Sequence, residues 1–326
     1  MYRKAVPDPQ RDPLALQSFM AETNGGGSAE KVPGFDSFRA VTAGFDTKRV
    51  AGPSAVLARP DGGFFSEGAE TVSPLLRVAG FSAKPENVIG VDSRVRVTDT
   101  SAIPWRCICH IEVEYEAGPI GFGTGFLIGP KSVLTAAHVI CDPAKKRKAR
   151  RLRIMPGRNG NTAPYGYFVA DFKDCLVTAQ WLKNGSSVDG SGACDYAVIT
   201  IPKDFKTEET PTAERLGYFG LKCFSDDEVA KKANMLLVNN AGYPYEADKP
   251  YGTLWYNAGR VRTVEKTYVE YMVDTEGGQS GSPIYFFDEE TNQRFVIAVH
   301  TTGDFINRGL RITRDVFSTL KKWTGR

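Results

Sequence analysis

The chain has 326 residues, 41% hydrophobic and 24% charged, so it can bury the core of one large domain or two ordinary ones. Its formal net charge of +3 is too small to indicate a nucleic-acid partner, and no apolar run approaches the roughly 20 residues that cross a bilayer. The 33 glycines and 19 prolines favour many turns and short strands over long helices.

The first 86 residues differ from the rest of the chain. They contain 8 of the 19 prolines, the run Gly25–Gly27 and little sustained periodicity. This composition predicts a poorly ordered or loosely docked arm over residues 1–86, with an irregular subdomain as the alternative. The first twenty residues lack the apolar core, roughly 7–15 residues long, of a signal peptide, so they do not predict export.

From about Val88 onward, short runs rich in Val, Ile, Phe and Tyr predict β-strands. These runs are Trp105–Tyr115, Thr124–Ile128, Ser132–Leu134, Tyr196–Ile201, Met235–Val238, Thr253–Val264, Tyr268–Val273, Pro283–Phe287 and Phe295–Val299. Because no long helical patterns lie between them, we expect an all-β sandwich or barrel. One C-terminal helix is predicted to begin near Thr313, since apolar residues recur there at helical spacing: Ile312, Val316, Leu320 and Trp323.

A strongly basic run lies between Lys145 and Arg153, with the sequence KKRKARRLR. Such a run can bind polyanions or act as a proteolytic clip site. A solvated loop before a strand is the more ordinary interpretation, and it is our prediction.

The strongest chemical signal is the glycine-rich segment Gly277–Pro283, GGQSGSP. Glycines permit backbone angles that direct successive N–H groups into one small space, and they leave a serine hydroxyl uncrowded. We therefore expect Ser280 to be a nucleophile, with the N–H groups of Gly278 and Ser280 forming an oxyanion hole. A serine hydroxyl is unreactive until a base takes its proton, so one of the chain's three histidines is required.

The best candidate base is His138, in the sequence TAAH directly after the run Ser132–Leu134. Asp195, the first residue of the segment DYAVI, is the best candidate for the carboxylate that holds the imidazole in the correct tautomer. The chain order His138, Asp195, Ser280 is that of two-barrel serine proteases and differs from the orders in subtilisins and α/β-hydrolases.

These three motifs resemble the glutamyl endopeptidases within the chymotrypsin-like serine proteases. The resemblance covers most of residues 87–323 and includes the segments NVIG (87–90), RVRVTD (94–99), PGRNG (156–160), GYFG (217–220), AGYP (241–244), VDT (273–275), AVHT (298–301) and RITRDVF (311–317). It implies a double antiparallel β-barrel with a C-terminal helix over 87–326. It also implies a monomeric serine endopeptidase that cleaves polypeptides through an acyl-enzyme, with no cofactor, no metal and no nucleic-acid or membrane partner. The family suggests secretion, but without a visible signal peptide the compartment stays open and includes the cytoplasm.

The resemblance also assigns a substrate pocket. It places His300 and Thr275 where the glutamate side chain of the substrate binds, with aspartate accepted more weakly. A carboxylate entering a pocket needs donors or positive charge to replace its water. Asp274, six residues before Ser280, keeps open a trypsin-like preference for Lys or Arg, and an inactive binding or regulatory module is a further alternative. His110 also matches a family position, and we assign it a structural role.

Mature chains of this family begin near the position of Asn87, and the residue before it is Glu86. We therefore expect a zymogen that cuts itself between Glu86 and Asn87, which frees an amino terminus that can complete the substrate pocket.

The six cysteines predict neither a disulfide scaffold nor a zinc site, because they are few and contain no CxxC pair. Relatives often pair a cysteine directly after the catalytic histidine with one on the preceding strand. Here Val139 follows His138 and the segment Gly121–Gly125 contains no cysteine, so that disulfide is not expected.

Overall fold

The computed structural model describes residues 88, 92–185, 193–201, 216–225, 228, 236–288, 291–303 and 306–325. The predicted arm and the Glu86–Asn87 junction lie outside these residues. None of the described helices is long and apolar enough to cross a membrane.

The first half of the described chain forms one antiparallel sheet. Its strands are β2 (Ile108–Tyr115), β3 (Gly121–Gly129), β4 (Ser132–Thr135), β5 (Cys141–Asp142), β6 (Arg147–Pro156), β7 (Phe168–Asp171), β8 (Cys175–Val177) and β9 (Ala197–Thr200). They run in the order β5-β6-β2-β3-β4-β9-β8, with β7 also against β6. The pairings among the described residues leave this sheet curved but open, a half-barrel.

The second half forms a closed barrel. Its elements are β1 (Val95–Arg96), β10 (Gly220–Leu221), β11 (Leu237–Gly242), β12 (Trp255–Val264), β13 (Tyr268–Tyr271), β14 (Pro283–Asp288), β15 (Gln293–Gly303) and β16 (Asn307–Arg311). Six of them close the ring β11-β12-β13-β16-β15-β14, because β13 pairs with both β12 and β16. Strand β1 adds to β12, and β10 lies parallel to β15.

The helices described are short except for the last. They are α1 (Ala137–Ile140), α2 (Ala179–Asn184) and α3 (Arg314–Thr324), with 3-10 turns at Trp105–Cys107, Pro143–Lys145 and Phe172–Asp174. Helix α3 begins after Thr313, whose hydroxyl accepts the N–H of Val316 at 3.3 Å, and it ends at Gly325 in the left-handed region. The predicted all-β fold with a C-terminal helix is confirmed.

The prediction of a loop at the basic run was wrong from Arg147 onward, because these residues form strand β6. Its inward positions, among them Ala149 and Leu152, are buried, and its cations face carboxylates on neighbouring segments. The ion pairs are Lys148–Glu116, Arg150–Glu114, Arg151–Asp171 and Arg153–Glu112. Cross-strand pairing of opposite charges suits these residues to a sheet, and it leaves little uncompensated charge for a polyanion.

Candidate active site

Strand pairing brings His138 and Asp195 together. Strand β4 pairs with β9, so the start of α1 after β4 lies beside the residues that lead into β9. Asp195 is buried, and its carboxylate lies 2.8 Å from Nδ1 of His138 and accepts the backbone N–H of His138 at 2.9 Å. Because an ionised carboxylate only accepts, Nδ1 carries the proton and Nε2 is left able to take one.

Ser280 lies in a turn that only glycine can complete. Gly278 and Gly281 have φ of +96° and +88°, angles that side chains rarely adopt. A Cβ on Gly278 would also lie 2.6 Å from the carbonyl oxygen of Tyr243, and one on Gly281 would overlap the backbone oxygen of Thr124. Two of the three glycines of the GGQSGSP segment, Gly278 and Gly281, are therefore required by both conformation and space.

Hydrogen bonds attach this turn to the first sheet, next to His138. Thr124 on β3 donates its N–H to the Ser280 carbonyl at 2.9 Å and its hydroxyl to the Gly278 carbonyl at 2.9 Å. A Cβ on Gly281 would lie 2.9 Å from the backbone nitrogen of Ala136, the residue directly before α1. The structure thus places His138, Asp195, Gly278 and Ser280 together at the seam between half-barrel and barrel.

His300 and Thr275 lie on the barrel side of the same turn. The His300 carbonyl accepts the N–H of Gly281 at 2.7 Å, and its N–H donates to the Ser282 carbonyl at 2.9 Å. The buried ring of His300 has Nδ1 2.5 Å from the Tyr271 hydroxyl. The Thr275 hydroxyl is buried and makes no hydrogen bond to the described residues, so it is available to a ligand.

Comparison with known proteins identifies the family of this chain. The family of the trypsin-like peptidase domain matches residues 123–295. A glutamyl endopeptidase of Bacillus licheniformis is 36% identical over 267 residues, which cover 79% of this chain and 74% of that protein. The chain belongs to the glutamyl endopeptidase family of trypsin-like serine peptidases. It is a serine endopeptidase that acts on polypeptides.

Two further similarities extend this comparison. An extracellular metalloprotease of Bacillus subtilis is 30% identical over 242 residues, covering 74% of this chain and 70% of that protein. The solved structure of a Glu endopeptidase in complex with MPD matches with a TM-score of 0.59 at 23% identity, over 73% of this chain and all of that one, and it supports the fold. Within the described parts of this peptidase, no group of three or more His, Cys, Asp or Glu side chains is placed to hold a metal ion.

Asp274 of this peptidase faces its N-terminal segment. The carboxylate is buried, and Oδ2 accepts the backbone N–H of Ser93 at 2.9 Å and its hydroxyl at 2.6 Å. A carboxylate held in this way serves the docking of the segment around Ser93. The geometry therefore does not favour the alternative in which Asp274 binds a Lys or Arg side chain of the substrate.

Val139, the residue after His138, packs against Gly123 on strand β3. A Cβ built on Gly123 would lie 2.6 Å from Cγ1 of Val139 and 3.4 Å from its Cβ. The glycine on β3 and the valine on α1 therefore pack directly against each other, and no two of the six cysteines, all in described segments, form a disulfide.

His110 lies in a buried ionic cluster with Arg158 and Glu112. Its Nδ1 lies 3.2 Å from the guanidinium of Arg158, which also contacts Glu112 at 2.6 Å. A guanidinium only donates, so Nδ1 accepts and the ring is neutral. Burial, and then the charges of Arg158 and Arg153, lower the pKa of His110 well below its usual value. This environment agrees with a structural role.

Two buried residues beside the site received no role from the sequence. Tyr271 lies within the predicted strand Tyr268–Val273, and Arg94 lies within the motif RVRVTD. Both were therefore visible as parts of patterns. Their partners, His300 and Gln279, are 29 and 185 residues away in the chain, and only the folded structure identifies them.

Proposed function

We propose that this serine endopeptidase cleaves after Glu, and more weakly after Asp, with Ser280 as nucleophile, His138 as general base and Asp195 as its orienting carboxylate. The observation that carries the proposal is the contact of His138 with the buried carboxylate of Asp195, at 2.8 Å beside the Ser280 turn. The name of the Bacillus licheniformis relative supports the preference for Glu.

The chemistry proceeds in two matching halves. Ser280 Oγ attacks the scissile carbonyl carbon while its proton passes to Nε2 of His138, and Asp195 stabilises the resulting imidazolium. The N–H groups of Gly278 and Ser280 face the developing oxyanion, a contribution of about 2.7–4 kcal/mol per donor. His138 then gives its proton to the leaving amine. Water repeats the sequence on the acyl-enzyme, releasing the acid and restoring Ser280.

The preference for glutamate rests on His300 and Thr275. We assign the tautomer in which Tyr271 donates to Nδ1 of His300, so that the Nε2–H is a donor for the substrate carboxylate. The hydroxyl of Thr275 supplies a second donor. Hydrogen bonds to charged groups contribute about 1.5–3 kcal/mol each, which corresponds to selectivities of roughly ten- to hundredfold.

A panel of fluorogenic peptides with Glu, Asp, Lys or Phe at P1 tests the proposal. We expect Glu to be cleaved best, Asp next, and Ser280→Ala to abolish turnover. Ser318→Ala, on the exposed face of α3, is the matched control and should behave as wild type. Faster cleavage after Lys would contradict the Glu preference and revive the trypsin-like alternative, and undiminished turnover in Ser280→Ala would contradict the triad.

Maturation between Glu86 and Asn87 is part of the same proposal. A Glu-specific enzyme can cut this bond itself, and the described segment a few residues later is held by Asp274, the neighbour of Thr275. Mass spectrometry of the active protein should show a chain beginning at Asn87. Glu86→Gln should block this cut and Glu70→Gln should not. Full activity from a chain with an intact N-terminus would contradict the proposal.

We also propose that the protein acts as a monomer and binds neither nucleic acid nor membranes. The pairing of the cations on β6 with carboxylates supports the part of this proposal that concerns nucleic acid. Analytical ultracentrifugation should give the mass of one chain, and a stable dimer would contradict the expectation.

A further inference from the structure

A buried arginine connects the N-terminal segment to the turn that contains Ser280. Arg94 directly precedes β1, and its side chain is completely buried. Its Nε and Nη2 donate to the two carboxylate oxygens of Asp92, both at 2.9 Å, and Nη1 lies 2.6 Å from a Glu246 oxygen. Nη1 also donates to Oε1 of Gln279 at 2.8 Å.

Gln279 is the residue immediately before Ser280, and its side chain is held at both ends. Oε1 accepts from Arg94 and from the N–H of Glu276, at 2.8 and 3.1 Å. Nε2 donates to Oδ1 of the buried Asn240 at 3.2 Å. The backbone of Gln279 separates the two N–H groups, of Gly278 and Ser280, that face the oxyanion. The orientation of Gln279 therefore sets the angle between these two donors.

Arg94 has its counter-charges without Gln279. Lys249 Nζ lies 2.8 Å from Asp92 and 3.3 Å from both Glu246 and the exposed Asp248, so two cations and three carboxylates form one network. A buried charge must be paired, and Asp92 and Glu246 already meet this requirement for Arg94. The bond to the uncharged amide of Gln279 adds no charge neutralisation. What it adds is a fixed position for Gln279, because a guanidinium is a rigid planar donor.

We propose that Arg94 is a positioning residue for the oxyanion hole, which it holds in its catalytic geometry through the side chain of Gln279. The inference rests on the proposed roles of Ser280 and Gly278. The chemistry of bond breaking is unchanged, and Arg94 touches neither substrate nor reacting atoms. Its loss should therefore lower transition-state stabilisation and leave ground-state binding of the peptide nearly intact.

The test compares Arg94→Met, Gln279→Met and the double variant, with activity expressed per active site titrated by an acylating ester. Two binding measurements separate the mechanisms: a peptide whose P1 residue lacks its carbonyl group, which leaves the oxyanion hole empty, and a peptide aldehyde with the same side chains. The aldehyde carbon bonds to Ser280 Oγ, and the hemiacetal oxygen then occupies the hole. Removing one oxyanion donor costs about 10²–10³ in kcat, so we expect a misplaced pair to cost at least tenfold in kcat and in aldehyde affinity. Binding of the peptide that lacks the P1 carbonyl should change less than twofold.

The controls distinguish positioning from stability. Gln279→Met leaves the ion pairs of Arg94 in place, so it should fold even if Arg94→Met does not, and it should show the same loss. Arg96→Met, on the same segment with an exposed side chain, should match wild type. The double variant should be no worse than either single one, since both remove the same contact.

Three results would overturn the proposal. The first is a normal kcat per titrated site in variants that only melt at a lower temperature or contain fewer titratable sites. The second is additive losses in the double variant, and the third is a normal kcat and aldehyde affinity in Gln279→Met. Failure of the proposed function has a different signature, because Ser280→Ala would then retain turnover in the wild-type background.

Discussion

The contact between Gly123 and Val139 predicts that a disulfide can be introduced beside the catalytic histidine. The double variant Gly123→Cys, Val139→Cys joins β3 to α1 at the residue after His138. A Cβ on Gly123 would lie 3.4 Å from the Cβ of Val139, just below the range of about 3.5–4.5 Å common in disulfides, so a shift of a few tenths of an ångström is needed. Gly123 has no positive φ, so its backbone accepts a side chain.

The expected gain follows from the loop that the bond closes. About 16 residues separate the two positions, and closing a loop of this size stabilises a protein by roughly 3 kcal/mol in the chain-entropy account. Replacing the buried Val139 side chain with cysteine removes about one methyl group, a loss of about 1 kcal/mol. A net gain of about 2 kcal/mol should raise Tm by roughly 4–8 °C for a protein of this size.

The assay compares the oxidised double variant with the same protein after mild reduction. Thiol titration should show that oxidation removes two thiols, and the Tm difference should vanish with reductant. Burial raises the pKa of Cys107 and of Cys141 to about 12, so these native thiols should not compete for the new bond. The two single variants, treated in the same way, control for changes in packing. Activity on a Glu substrate should stay within about twofold, because His138 keeps its contact with Asp195.

Failure of the double variant to oxidise would refute the described packing of β3 against α1. An oxidised form that melts no higher than the reduced form would refute the stability calculation.

Three other predictions concern the substrate pocket, the nucleophile turn and the N-terminal segment. Tyr271→Phe removes the hydrogen bond that fixes the tautomer of His300, so it should reduce the selectivity for Glu over Phe at P1 about tenfold or more. His300→Ala should reduce this selectivity further. Equal losses of activity on the Glu and Phe substrates would show that His300 has a structural role only. Gly281→Ala should lower kcat by several orders of magnitude even if the protein folds. Circular dichroism will report whether the variant folds, and active-site titration will report how much of the folded protein is active. Near-normal turnover would contradict the described turn. Burial would raise the pKa of Asp92, but hydrogen bonds from its cationic neighbours outweigh this and hold the pKa below 3.8. A carboxyl group whose pKa is lowered by folding stabilises the folded state at pH values above its unfolded-state pKa, and this stabilisation is lost as the pH falls. The Tm of wild type should therefore exceed that of Asp92→Asn at pH 6, and the difference should shrink below about pH 4. A Tm difference that stays constant between pH 6 and pH 2.5 would argue against the ion pairs.

Much of this protein could be predicted from local features of the sequence. Alternating β-branched and aromatic runs indicate strands, and the apolar spacing after Thr313 indicates a helix, because each depends on residues close in the chain. The segment GGQSGSP indicates a strained turn for the same reason, since Gly278 and Gly281 adopt conformations open to few other residues. The chain order of His138, Asp195 and Ser280 then indicated the two-barrel fold of serine proteases.

The tertiary structure decided the features that depend on distant partners. The basic run is predicted to be a loop from its sequence alone. In the structure it forms strand β6, because β2 and β7 pair with it and bring their carboxylates next to its cations. Asp274 reads as a specificity residue until Ser93, 181 residues earlier, takes its carboxylate. The sequence determines the chemical groups of a side chain. The orientation of that side chain depends on the residues that the fold packs against it. Candidate site residues can therefore be proposed from the sequence, whereas the contacts that position them can be identified only in the folded structure.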